Sequence, residues 1–159
     1  MRFLVRPSVR PRSRAPVRMF MAFAALALAG WVLQRVREGG LVPSEVEACY
    51  LGVPGGAPLG AAALWEEVHV GAFVHGFTLF MLGSLLVVSP VRDRVRRALL
   101  VTAAAAALCD LFAPFAVIAL GGWGGIRVAT FVAAALSSAT LLVVVAVRFG
   151  SEVVGASPG

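Results

Sequence analysis

A chain of 159 residues that is 60% hydrophobic, with a mean hydropathy of +0.91, lies above the roughly 45 to 50% apolar content of soluble domains, which excludes an ordinary soluble fold. The formal charge of +6 comes from 14 basic residues, all arginine, set beside apolar stretches as topology determinants are; nucleic acid is excluded as a partner. The two cysteines, Cys49 and Cys109, have neither CxxC nor CxxCH spacing, so no zinc ribbon or covalently attached haem is encoded, and a loop and a span are poor places for a mutual disulfide.

Residues 1–18 are a basic segment carrying Arg2, Arg6, Arg10, Arg12, Arg14 and Arg18. The first apolar span, 19–34, is short for the roughly 20 residues that cross a bilayer. Its basic start and the small-residue sequence Ala27-Leu28-Ala29 before Gly30 also fit a cleaved signal peptide, whereas continuation through Trp31, Val32 and Leu33 fits a retained anchor. A loop at 35–67 follows. There, Ser44 and Glu47 have capping-box spacing just after Pro43 and predict a short helix ending near Gly52, with a turn-rich connection over 53–58.

The second span is 68–89, followed by a basic loop at 90–97 with Arg92, Arg94, Arg96 and Arg97. The third is 98–120 and the fourth 126–147, joined by a tight turn at 121–125 in which Trp123 is an interface anchor. The tail, 148–159, reads as disordered, like the arginine-rich start. Eleven arginines fall on one side of this arrangement, against Arg35, Arg37 and Arg127 on the other, so both termini are expected in the cytoplasm and 35–67 outside it. The fold class is all-α: a polytopic transmembrane four-helix bundle with one short extracytoplasmic loop.

Asp110 stands near the middle of the third span, where an isolated charge costs about 2.5 to 3.5 kcal/mol on insertion scales and normally faces a partner, a cavity or a pathway. Pro114, a turn later, removes the hydrogen bond to the carbonyl of Asp110 and marks a helix kink. Depth counting at about 1.5 Å per residue puts His75, Thr78, Asp110, Ser137 and Ser138 in one central layer, the candidate buried polar network. Ala103, Ala106, Ala107 and Ala113 share the face of Asp110 and permit close helix approach, and Gly76 and Gly83 give the second span a similar groove. Two readings follow: a structural bond from Asp110 to His75, Thr78 or a serine, or a proton or ion pathway.

A second constellation is Glu66 and His69, whose E-x-x-H spacing puts a carboxylate and an imidazole on one helical face. Di-iron bundles use two such motifs, and this chain has one. A mononuclear transition-metal site from Glu66, His69 and Glu67 or Cys49 stands against the plainer reading, a wet membrane-interface rim of Trp65, Glu66, Glu67 and His69. Haem b requires more, because both histidines lie on the second span, about 120° and about 9 Å apart. They cannot clamp one iron. A methionine, or His75 from each of two protomers across a two-fold axis, would have to complete the ligation. Neither a nucleophile with its base nor a phosphate-binding glycine loop is recognisable, so an enzyme is not expected.

The residues Gly40-Leu41-Val42-Pro43-Ser44-Glu45-Val46-Glu47 with Tyr50-Leu51-Gly52, then Leu64-Trp65-Glu66-Glu67-Val68-His69, and finally Asp110 with Pro114, carry a resemblance. From Gly40 to Arg148 the chain resembles an uncharacterised bacterial family of small four-span membrane proteins. Other members have a histidine two residues beyond the one matching His69 and another near the end of the second span; here Gly71 stands at the first position and no histidine follows His75. The resemblance implies topology and a bacterial inner-membrane location, with no activity to carry over. The reading is therefore an accessory or assembly subunit with the lipid bilayer and other membrane subunits, or a second copy, as partners. No cofactor is the leading expectation. A haem b or transition-metal electron-transfer protein and a small proton-linked transporter are the alternatives.

Overall fold

The computed structural model describes residues 15–54 and 56–151, so the expectation of disorder at 1–14 and 152–159 lies outside the described residues, whereas 15–18 and 149–151, expected to be disordered too, are helical continuations of the first and last spans. Five helices follow one another: α1 (Ala15–Gly39), α2 (Pro43–Leu51), α3 (Ala61–Val88), α4 (Asp93–Leu120) and α5 (Gly124–Ser151). Four contain stretches long and apolar enough to cross a membrane, Pro16–Gly39, Ala61–Val88, Asp93–Leu120 and Gly124–Phe149, while α2 is a short connector. The chain is an all-α polytopic helical membrane domain.

The long helices overrun the apolar stretches, since 28 residues span about 42 Å against a hydrocarbon core of about 30 Å. Residues 61–67, expected in the loop, are the first two turns of α3, which starts after the extended Gly60. Likewise α4 begins inside the basic loop at Asp93, an acid in the first turn where the helix dipole favours it, and Arg96 pairs back to it.

Two local features set the geometry of the end that carries α2. The first is the turn from α4 to α5. Gly121 takes a left-handed conformation (φ 64°), its N–H bonds to the Ile118 carbonyl, and the Gly122 N–H bonds to the Val117 carbonyl, the paired bonds of a Schellman cap. The second corrects the expected capping box. Val42, not Ser44, is the N-cap of α2, Pro43 opens the helix, and no side chain caps it. Glu47 instead accepts a hydrogen bond from the backbone N–H of Gly124 at 2.8 Å, so it caps the start of α5. A Cβ on Gly124 would collide with the Pro43 carbonyl, which shows how closely α2 lies over that start.

Packing is closest between α4 and α5. Ala103, Ala107 and Ala113 of α4 are buried and Ala106 is half-buried, in line with their shared face. On α3 the close approaches fall at Gly71, against Leu111, and Gly83, against Leu100. Gly76 faces open space, so the expected Gly76/Gly83 groove is replaced by one at Gly71 and Gly83. The arginine-rich end is filled by an apolar cluster around Leu82, Leu86, Leu141 and Val145. Mid-bundle lie Trp31, Phe131 and Ala134, while Val46 and Tyr50 on the inner face of α2 pack against Leu64 and Val117.

Candidate functional site: a buried ion network joining five helices

Asp110 is enclosed completely, and its carboxylate is held from two sides. Arg127 of α5 donates from Nη1 to Oδ1, and His75 of α3 lies with Nε2 3.2 Å from Oδ2. A carboxylate only accepts, so Nε2–H is the donor in this pair. The α4 helix continues through Pro114, which leaves the Asp110 carbonyl without its helical N–H donor and packs fully buried.

Arg127 distributes its planar fork among three partners. Besides Nη1 on Asp110, Nη2 donates to Glu67 Oε1 at 3.2 Å and Nε to the Tyr50 hydroxyl at 3.3 Å. Tyr50 in turn donates to Glu67 Oε1 at 2.7 Å, and Arg35 of α1 pairs with the same oxygen. Two guanidinium groups thus balance two carboxylates, and the contacts draw on α1 (Arg35), α2 (Tyr50), α3 (Glu67, His75), α4 (Asp110) and α5 (Arg127). A rigid five-donor fork is what permits one side chain to bind three elements at once. Burial pushes the Tyr50 hydroxyl up to about 12; the Arg127 charge opposes this and the Glu67 charge adds to it.

Below this network, Trp31 packs edge-on against His75 with ring centroids 4.8 Å apart, and against Phe131 at 5.1 Å. These contacts fix the imidazole toward Asp110. The indole Nε1 of Trp31 is buried and has no hydrogen-bond partner among the described residues.

The expected central layer is therefore redrawn. His75 and Asp110 meet. Thr78 and Ser138 are buried without bonding to Asp110, and Ser137 gives its hydroxyl to the Ala134 carbonyl three residues back. Arginine displaces them because a charge-assisted pair is stronger than a neutral hydroxyl bond. Glu66 and His69 are both exposed, and no group of three or more histidine, cysteine, aspartate or glutamate side chains among the described residues is placed to hold a metal. Of the two alternative third ligands, Glu67 belongs to the ion network and Cys49 is a free, exposed thiol, as is Cys109. His75 is 4% exposed inside its own bundle, so two His75 rings cannot reach one haem across a two-fold axis.

A family model described as a transmembrane helical domain, Aq_1264_TM, matches residues 40–152. The chain belongs to that family. The Aq_1264_TM segment contains Tyr50, Glu67, His75, Asp110 and Arg127, whereas Trp31 and Arg35 on α1 precede it. No curated protein and no solved structure matches the chain.

Proposed function

We propose that the chain is a non-enzymatic accessory or assembly subunit of the bacterial inner membrane, with both termini cytoplasmic and α2 on the extracytoplasmic side. The observation that carries this reading is the Asp110 carboxylate, paired to Arg127 and His75 within a charge-balanced network that touches all five helices. Such a network suits fixing one arrangement of helices, with α2 held as a rigid platform by Tyr50 and Glu47. Leu41 and Val42, at the start of that platform, are about half exposed and offer apolar contact to another membrane subunit or a second copy. The arginine-rich segments favour the cytoplasmic side for the opposite end.

A proton-linked transporter is the second reading, favoured by the chain of ionisable groups from Glu67 through Arg127 and Asp110 to His75. Against it, the half of the bundle beyond His75 is filled by Leu82, Leu86, Leu141 and Val145.

The test compares native gels of mildly solubilised membranes from cells making the native protein or Leu41→Ser/Val42→Ser. A defined complex that is lost in the variant, while the purified variant keeps its helical content, is the expected result. Migration of the native protein as a lone monomer, or proton flux in vesicles abolished by Asp110→Asn, would overturn the reading.

A further inference from the structure

One face of α4 is turned away from the bundle and ends in two arginines. At about 100° per residue, Arg94, Arg97, Ala98, Val101, Ala105 and Leu108 share about 100° of arc, and all of them are exposed. The opposite face, with Ala103, Ala107 and Asp110, is the buried one. Arg96 is turned back along the chain: it pairs with Asp93, the acid of the first turn, and donates to the Val87 carbonyl at 3.0 Å. Arg94 and Arg97 have no hydrogen bond or ion pair among the described residues, so two guanidinium groups one turn apart head an apolar, bilayer-facing stripe. Orienting the chain requires only positive charge at this end of the span; it does not require two arginines to crown such a stripe.

The dimensions match one leaflet. Leu108 lies about 16 Å along the helix axis from Arg97, against a hydrocarbon core of about 30 Å, so a headgroup at Arg97 puts its chain end near Leu108. Guanidinium groups take phosphate through bidentate, charge-assisted bonds, whereas a zwitterionic headgroup brings its own cation against them. We propose that this face of α4 holds an acidic glycerophospholipid, with its phosphate between Arg94 and Arg97 and an acyl chain along Val101, Ala105 and Leu108. The lipid supplies the counter-charge that these two arginines lack among the described residues.

Cys109, free and exposed, follows Leu108 in sequence and can report the occupant. The full chain carrying Cys49→Ser is labelled there with bimane and reconstituted in phosphatidylcholine vesicles. These contain rising fractions of phosphatidylglycerol or phosphatidylcholine brominated on the acyl chains, whose bromines quench on contact. Half-maximal quenching by phosphatidylglycerol is expected at a fraction at least about fivefold lower than by phosphatidylcholine, the preference that one basic residue confers near an anionic headgroup. Arg94→Gln/Arg97→Gln should abolish the difference, whereas Arg92→Gln, outside the stripe, should keep it. Equal quenching by both lipids, a preference that survives the double variant, or one lost equally in Arg92→Gln would overturn the proposal. So would a preference removed by inorganic phosphate at constant ionic strength, the mark of a free-anion site, or a fluorophore shielded from both lipids, the mark of a protein helix on the stripe.

Discussion

Arg127 and Asp110 pair across the interface of α5 and α4 with both side chains almost wholly removed from solvent. Removing two charges from water costs several kcal/mol per ion, so such a pair stabilises the fold only when every remaining donor and acceptor is also engaged. Here Tyr50, Glu67 and His75 take up those positions. Loss of either partner should therefore be far costlier than loss of a hydroxyl elsewhere in the bundle. Thr78→Val, which removes a buried group outside the Asp110 bonds, should shift unfolding by less than about 1.5 kcal/mol in detergent titration.

Close approach of backbone distinguishes two glycines that look alike in sequence. Gly124→Ala drives a methyl group into the Pro43 carbonyl and should destabilise by about 1 to 3 kcal/mol, with faster hydrogen exchange throughout α2. Gly76→Ala meets open space inside α3 and should be neutral or stabilise by up to about 1 kcal/mol, the ordinary helix preference for alanine.

Tyr50 gives the fold an alkaline limit. Its hydroxyl titrates near 10 when unfolded and at about 12 when folded, so the folded state holds the proton more tightly. Its contribution is complete below about pH 10 and declines as pH rises toward about 12. Chemical unfolding of the native protein should weaken across that window, and Tyr50→Phe should remove this component of the slope.

The exposed Cys49 thiol reads the charges around it. Partial burial and then Glu67 and Glu38 push its pKa up, while Arg35 opposes them. In a Cys109→Ala background, Glu38→Gln should accelerate maleimide labelling and move its pH midpoint downward. An unchanged rate would show that Glu38 does not act on the thiol.

Much of the fold was legible because long apolar runs separated by arginine clusters constrain a chain tightly. Asp110 was legible for the opposite reason, as a lone charge in such a run. Its partner was not. Depth counting places Arg127 near the membrane surface, where an arginine is expected to extend outward, yet its long side chain reaches inward toward the acid. A sequence signal existed: Arg35 and Arg127 are two of the three arginines that run against the charge asymmetry, and each is neutralised by a carboxylate. Ser44 and Glu47 misled because their spacing matches a capping box, while Pro43 moved the helix start forward and freed Glu47 for α5. No local pattern announces a contact between Glu47 and Gly124, 77 residues apart.

The most direct test of the network is a double-mutant cycle on Asp110 and Arg127, read as unfolding free energy in detergent micelles. Asp110→Ala and Arg127→Ala should each cost about 3 to 5 kcal/mol by leaving the partner buried and unpaired, and the double variant should cost much less than their sum. Additive losses, agreeing within about 0.5 kcal/mol, would contradict the account and show that the two side chains do not hold the five helices together.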